Sequence, residues 1–189
     1  LNDPNGALDF IGTVDMSGRV AHFDFMAAIR NAQLDRLNLV PGMKDGVLSV
    51  VLETNFQGNN LDDLVGEIVL REGLLYTPAI GLDFDSISVR AERLEDHKQL
   101  TLRSAYADGE ITGKYLFRHF RRTAMGFIQH YLPAYVDKGT PAASTPDNDF
   151  SFDLRLKKMH QVLAVFLPEI NMADQGHLQG HFRSEPPSL

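Results

Sequence analysis

The sequence predicts a mainly β protein, built as one elongated, antiparallel, meandering sheet with one or two short amphipathic helices. Over most of its 189 residues, apolar and polar side chains alternate with a period of two, which is the pattern of strands that hide one face. Turn-forming residues separate these runs. Three strands also share a form with glycines four or six residues apart, at 6–12, 109–115 and 176–182. Such a sheet has an apolar face that needs a cover.

Residues 1–116 are predicted to be continuous β-sheet, beginning with a hairpin. The run 7–16 places its apolar residues on one face and its aspartates on the other. A serine–glycine turn at 17–19 leads into the run 22–30, which alternates in the same way. A short turn between two alternating runs is typical of a β-hairpin, so these two strands are expected to pair.

More strands follow the loop at 41–46, which contains one proline and two glycines. The clearest strand of the chain is 48–56, and a shorter one is predicted at 67–70. Residues 82–115 have the pattern of a strand meander. Within this meander the apolar phase shifts after Phe84. We expect a β-bulge there, because a bulge inserts one extra residue into a strand.

The pattern changes after the meander. Apolar residues at three- and four-residue steps predict an amphipathic helix over 117–136. Residues 137–149, rich in Pro, Thr and Ala, are predicted to be a flexible loop. A strand–helix–strand unit is expected over 150–189, with its short helix at 158–167. The whole chain, 1–189, is interpreted as one β-rich unit, and its opening turn-like sequence indicates a piece of a longer protein.

Composition excludes several classes of function. Apolar residues make up 43% and charged residues 23%, which is ordinary for a globular protein. The net charge of −7 argues against nucleic acid as a partner, because nucleic-acid binders carry basic patches. The chain has no cysteine, so it has no disulfide and no thiolate chemistry. It also lacks an apolar stretch of the ~20 residues that a membrane-spanning helix needs.

Catalytic and metal-binding patterns are scarce, so we expect neither an enzyme nor a cofactor. Asp83 and Asp85 share one face of a strand, but alternation makes it the solvated face. His177 and His181 lie four residues apart on a predicted strand, without an acidic or cysteine ligand near them in the sequence. We therefore interpret both pairs as surface residues and predict no metal site.

A basic cluster begins the predicted helix. It comprises Arg118, Arg121 and Arg122 beside His119. These arginines are candidates for contact with anionic lipid headgroups. The alternative is a solvated helix face, which needs no ligand.

Four stretches carry a resemblance to a known family. They resemble the C-terminal region of the TamB (translocation and assembly module) family, in the AsmA-like group of bacterial envelope proteins, in versions typical of Bacteroides-type bacteria. The stretches are GALDFIGTVDMSGRVAHFDFMAAIRNAQLDRLNL, LETNFQGNNLDDLVGEIVL, ISVRAERLEDHKQLTLRSAYADGEITGKYLF and FSFDLRLKKMHQVLAVFLPEINMADQGHLQGHF.

The resemblance implies a periplasmic protein, tethered at the inner membrane by a segment outside this chain. It implies a sheet curled into a β-taco-like groove that conducts phospholipids between the inner and outer membranes. The expected partners are phospholipid acyl chains and an outer-membrane barrel protein of the assembly machinery. The helix at 117–136 departs from the plainest form of the family and is expected to plug or cap the groove.

The groove candidates are apolar residues that share one face of their strands. A groove of this kind holds acyl chains because the hydrophobic effect is non-directional. The candidates are Phe23, Phe25, Leu48, Val50, Leu52, Phe56, Leu100, Leu102, Phe150, Phe152, Leu154 and Leu156.

Two rival functions stay open at this stage. The first is a scaffold for the assembly of outer-membrane proteins, whose sheet edge pairs with client strands. The second is a closed β domain with a pocket for a small ligand. Alternation is identical in an open sheet and a closed sandwich, so the sequence does not separate them.

Overall fold

The computed structural model describes residues 2–40, 43–60, 62–78, 81–116, 148–158, 160–162 and 175–183. It contains ten strands. Their bounds are β1 (Asn2–Asp3), β2 (Gly6–Asp15), β3 (His22–Gln33), β4 (Val47–Gln57), β5 (Val65–Tyr76), β6 (Gly81–Arg93), β7 (Lys98–Ser104), β8 (Ala107–Lys114), β9 (Asp149–Leu156) and β10 (Gly176–Arg183).

All ten strands form a single antiparallel sheet. The strand order in the sheet is the order along the chain, and β1 and β10 are its two edges. Each strand packs extensively only on its immediate neighbours. With strands about 4.8 Å apart, the sheet is about 43 Å wide. Among the described residues the sheet is therefore open, which confirms the predicted mainly β, antiparallel, meandering fold class.

Two irregularities shift the apolar phase within strands. The β3–β4 register changes between Ile29 and Ala32, where Asn31 has a φ of 51°. The β4–β5 register changes opposite Val50, where Glu72 has a φ of 50°. Beyond these bulges, buried residues continue on the same side of the sheet.

The bulge predicted after Phe84 lies one ladder away from its expected place. The β5–β6 ladder keeps a single register, so the phase of β6 shifts together with that of β5. The predicted strand ends at Leu70, but β5 continues six residues further, to Tyr76. The irregularity at Glu72 shifts the apolar phase of β5 without ending the strand.

Two glycines of the repeated motif kink their strands. Gly12 and Gly113 have φ values of 133° and 140°, a conformation that side-chain-bearing residues rarely adopt. Each lies opposite a phenylalanine, Phe25 and Phe150 respectively. A Cβ atom at Gly113 would lie 2.6 Å from the Phe150 Cα atom. Only glycine fits this close approach, and glycine kinks of this kind curve a sheet.

A small hydrophobic core lies at one end of the sheet. Its buried members are Leu34, Leu75, Leu82 and Tyr106. The Tyr106 hydroxyl donates a hydrogen bond to the Asp83 carbonyl oxygen. Partly buried residues pack around this cluster from the loop after β3, from β4 and β6, and from the helical residues 160–162; they are Val40, Met43, Leu48, Phe84 and Val162.

Several expectations lie outside the described residues. They are the helix at 117–136 with Arg118, Arg121 and Arg122, the loop from 137 to 147, and most of the helix at 158–167. At the end of the predicted loop, Asn148 is buried and its side-chain oxygen accepts a hydrogen bond from the Leu116 amide at 3.1 Å. Within the described ranges, no helix is long and apolar enough to span a membrane.

Candidate functional site on the apolar face

All twelve groove candidates lie on the same face of the sheet. Directly opposed residues of an antiparallel pair point to the same side, so the register links one strand to the next. One row of partners crosses nine strands without a break, and we call it the central row. It runs Gly12, Phe25, Thr54, Ile68, Val89, Leu102, Gly109, Leu154, Leu178.

A second row runs parallel to the central row. It passes through Val14, Phe23, Phe56, Gly66, Ala91, Leu100, Ile111, Phe152 and Gly180. We call the surface that carries both rows the apolar face. Stacked phenylalanines reinforce it near its two edges. Phe23 and Phe56 have ring centroids 4.5 Å apart, and those of Phe150 and Phe182 are 5.4 Å apart.

The apolar face is only half covered. Of the twelve candidates, Val50 and Phe150 are buried and the other ten are intermediate in exposure. Near the edges, the side chains of Phe10 and Leu178 are 52% and 50% exposed. Folded domains normally bury such a face against a second layer. Among the described residues, no second layer of strands packs on it, because each strand contacts mainly its neighbours.

The opposite face carries many charged residues, several of them paired across strands, and it also exposes Ile11 and Met26. Ion pairs join adjacent strands at Arg30–Asp9 (2.7 Å) and Arg71–Glu53 (2.9 Å). Surface pairs like these contribute only ~0–1 kcal/mol each to stability. They hold charged side chains against each other on a face that stays open to water. The sheet therefore has one apolar face and one face on which charged residues predominate.

The residue pairs that resembled catalytic or metal sites are surface residues. Asp83 and Asp85 are exposed. His177 lies 3.0 Å from an Asp153 oxygen, and His181 lies 3.0 Å from an Asp149 oxygen, so each histidine has its own carboxylate. In the part of the chain that the structure describes, no cluster of three or more His, Asp or Glu side chains is arranged for a metal.

A depression also lies on the polar face. It has a volume of about 600 Å³ across β7–β10. The charged groups there are mutually satisfied. Lys157 Nζ lies 2.9 Å from the Asp108 carboxylate, and Arg155 lies 3.5 Å from that of Asp153. The Lys157 hydrogen bond holds the pKa of Asp108 below its ordinary value. We therefore assign no ligand to this depression and regard the apolar face as the site.

A smaller pocket lies on the apolar face itself. It has a volume of about 270 Å³. Its apolar lining comes from β5, β6 and β7, with Leu64 and Tyr115 as walls. Burial raises the pKa of Tyr115 to about 12. Lys98 lies at its rim.

Sequence reasoning missed this pocket. Lys98 has the same strand phase as Leu100 and Leu102, which is the signal that would have placed it on the apolar face. Leu64 lies outside the alternating runs, and Tyr115 is the last residue of the predicted meander, so neither was recognised as part of a pocket.

Comparison of the chain with protein-family models, with curated proteins and with solved structures finds no match. The family resemblance therefore rests on strand patterns alone, and the apolar face is the stronger guide to function.

Proposed function

We propose that this chain is a segment of a periplasmic bridge protein that conducts phospholipids between the inner and outer membranes along its apolar face. One observation carries the proposal: two unbroken apolar rows cross nine strands of an open sheet. The resemblance to the TamB family supplies the periplasmic setting and the inner-membrane tether. Under this proposal the natural cover of the apolar face is lipid.

The rows offer an acyl chain a continuous path. A row crossing nine strands at about 4.8 Å spacing is about 38 Å long. Its one hydroxyl, on Thr54, lies 3.3 Å from the Phe25 carbonyl oxygen and donates to it. An acyl chain therefore meets apolar groups throughout. Burial contributes about 25 cal/mol per Å² wherever the chain lies, so it has little preference for one position and can slide.

Charge placed on the apolar face tests this proposal. In the variant Leu100→Arg/Leu102→Arg, two guanidinium groups would interrupt both rows on β7. We expect transfer of phospholipid between donor and acceptor vesicles to be lost while far-ultraviolet circular dichroism stays unchanged. The matched control is Gln99→Arg/Thr101→Arg, which adds the same charge to the other face of the same strand.

The outcomes separate conduction from packing. Loss of transfer in the first variant alone, with its fold retained, supports the proposal. Unfolding of that variant would identify Leu100 and Leu102 as ordinary core. Equal loss of transfer in both variants would contradict a role specific to the apolar face.

A second candidate function is a scaffold for outer-membrane protein assembly, and the open edge of β2 favours it. β1 pairs with β2 only at Gly6 and Ala7. In the described part of the chain, residues 9–15 of β2 therefore have a strand partner on one side only. An open edge is a template for pairing with a client strand. Proline at alternate positions of this edge would abolish assembly, whereas charges on the apolar face would be tolerated.

A further inference from the structure

One lysine stands on the apolar face. Lys98 is the first residue of β7, and its antiparallel partner is Gly113. Its Nζ atom donates to the carbonyl oxygens of Asp62, at 2.6 Å, and Tyr115, at 3.4 Å. The same atom lies 5.6 Å from the centroid of the Tyr115 ring. These partners are all uncharged groups. Among the described residues, no carboxylate forms an ion pair with Lys98.

This cation lies at the rim of the 270 Å³ pocket. Ile68, Val89, Ala91 and Leu100 belong to the apolar face and form the pocket floor. The volume is at the small end of the range for ligand sites, so the pocket suits one alkyl chain rather than two. The floor of the pocket is therefore apolar and narrow, and its charged lining residues are Lys98, Arg93, Asp62 and Glu92.

A second cation lines the mouth of the pocket. Arg93 lies 3.4 Å from an Asp63 oxygen, and both side chains are more than half exposed. Exposed pairs of this kind are weak, so the guanidinium can exchange its partner at little cost. Two cations therefore line the pocket together with two acidic residues, Asp62 and Glu92, of which Glu92 is paired with Arg90 at 2.8 Å.

Arg93 and Lys98 are directly opposed across β6 and β7, so the pocket offers two adjacent cations and an apolar floor to an amphiphile with an anionic head. An ammonium group has three N–H donors, and the two carbonyls use two of them. A phosphate oxygen is a strong acceptor for the third, because hydrogen bonds between ionised groups are the stronger kind. The pocket lies midway along both rows, at β5, β6 and β7, so a lipid moving along the rows would pass it.

We propose that the Lys98 pocket binds an anionic phospholipid, with one acyl chain in the pocket and the phosphate on Lys98 and Arg93. This proposal rests on the proposed lipid-conducting function and adds a headgroup preference to it. Phosphatidylglycerol is then favoured over phosphatidylcholine, whose own ammonium group cancels the phosphate charge.

The test compares these two lipids with the same fluorescent acyl chain, titrated against the full chain. We expect phosphatidylglycerol to bind about tenfold more tightly, which corresponds to about 1.4 kcal/mol. Lys98→Met should remove this preference and leave phosphatidylcholine binding unchanged. Lys98→Arg should keep it. Lys114→Met is the matched control, because Lys114 is exposed on the polar face at the same end of the sheet.

Salt supplies a test that needs no substitution. The preference of the unaltered chain should shrink as ionic strength rises, because salt screens the headgroup contact. A preference that ignores salt, or that survives in Lys98→Met, would overturn the headgroup site. Equal binding of the two lipids would overturn it as well, while leaving the apolar face as a lipid path. Failure of both lipids to bind would overturn the proposed function together with this site.

Discussion

Alanine at Gly113 is expected to destabilise the sheet strongly. The backbone there has a φ of 140°, and residues with a Cβ atom pay about 1–3 kcal/mol in such regions. The new methyl group would also overlap the Asp149 carbonyl oxygen and come within 2.6 Å of the Phe150 Cα atom. Both contacts are with backbone of the paired strand, which cannot move without opening the β8–β9 ladder. We therefore expect a loss of about 3 kcal/mol.

Gly109 provides the matched control on the same strand and face. A Cβ atom there would meet its nearest neighbour, a Leu154 methyl group, at 3.4 Å, an ordinary van der Waals contact. Its φ is not in the positive range. Gly109→Ala should therefore be neutral or stabilise by up to ~1 kcal/mol, because alanine restricts the unfolded chain.

Urea unfolding followed by circular dichroism measures both changes, by linear extrapolation of the free energy of unfolding. The expected result is a large fall in midpoint for Gly113→Ala and no fall for Gly109→Ala. Equal losses in the two variants would refute the reasoning, because they would show that glycine content rather than the backbone kink matters.

Three further predictions concern pH and packing. The Lys157 hydrogen bond lowers the pKa of Asp108, so this carboxylate stabilises the fold above its ordinary pKa of about 3.9. That stability is lost as pH falls through the lowered pKa. Asp108→Asn should therefore make the free energy of unfolding less dependent on pH in acid. Burial raises the pKa of Tyr115 to about 12, so the neutral side chain contributes its full stability below about pH 10. This stability is lost as pH rises toward the pKa of the folded state. Tyr115→Phe should therefore lessen alkaline unfolding measured by circular dichroism. A double-mutant cycle with leucine at Phe23 and Phe56 should give a coupling of about 0.5–1.5 kcal/mol in urea unfolding, and no coupling would contradict the stacking seen between the rings.

The faces of the sheet could be predicted from the sequence because the pleat of a strand fixes a period of two. Leu100 and Leu102 on β7, and Phe152 on β9, were assigned to one face from alternation alone. The ladders confirm that they share it, through Leu100–Ile111 and Ile111–Phe152. The side of the sheet to which a side chain points is thus a local property, and local sequence patterns were sufficient to predict it.

The bulges were harder, because they depend on how strands match across a ladder. Asn31 and Glu72 adopt positive φ values without being glycine, and neither residue type marks a bulge by itself. The strand beyond Leu70 was missed for this reason, since Glu72 reverses its phase. Alternation also says nothing about closure, so the open sheet had to come from the strand order.

Lys98 shows a different limit of pattern reading. A lysine next to a hairpin turn normally points into water, and propensity gives no reason to place it elsewhere. Its position on the apolar face follows from its pairing with Gly113, and its hydrogen bonds follow from two carbonyls that are 53 residues apart in the chain, at Asp62 and Tyr115. Long-range contacts of this kind are set by the assembled sheet.

The central claim is that lipid covers the apolar face, and photo-crosslinking in cells tests it most directly. A photoreactive residue would replace Leu102 on the central row in one variant and Arg103, exposed on the polar face, in another. Mass spectrometry of the adducts should find phospholipid on position 102 and none on position 103. Protein adducts alone at position 102, or lipid adducts equally at both positions, would contradict the claim.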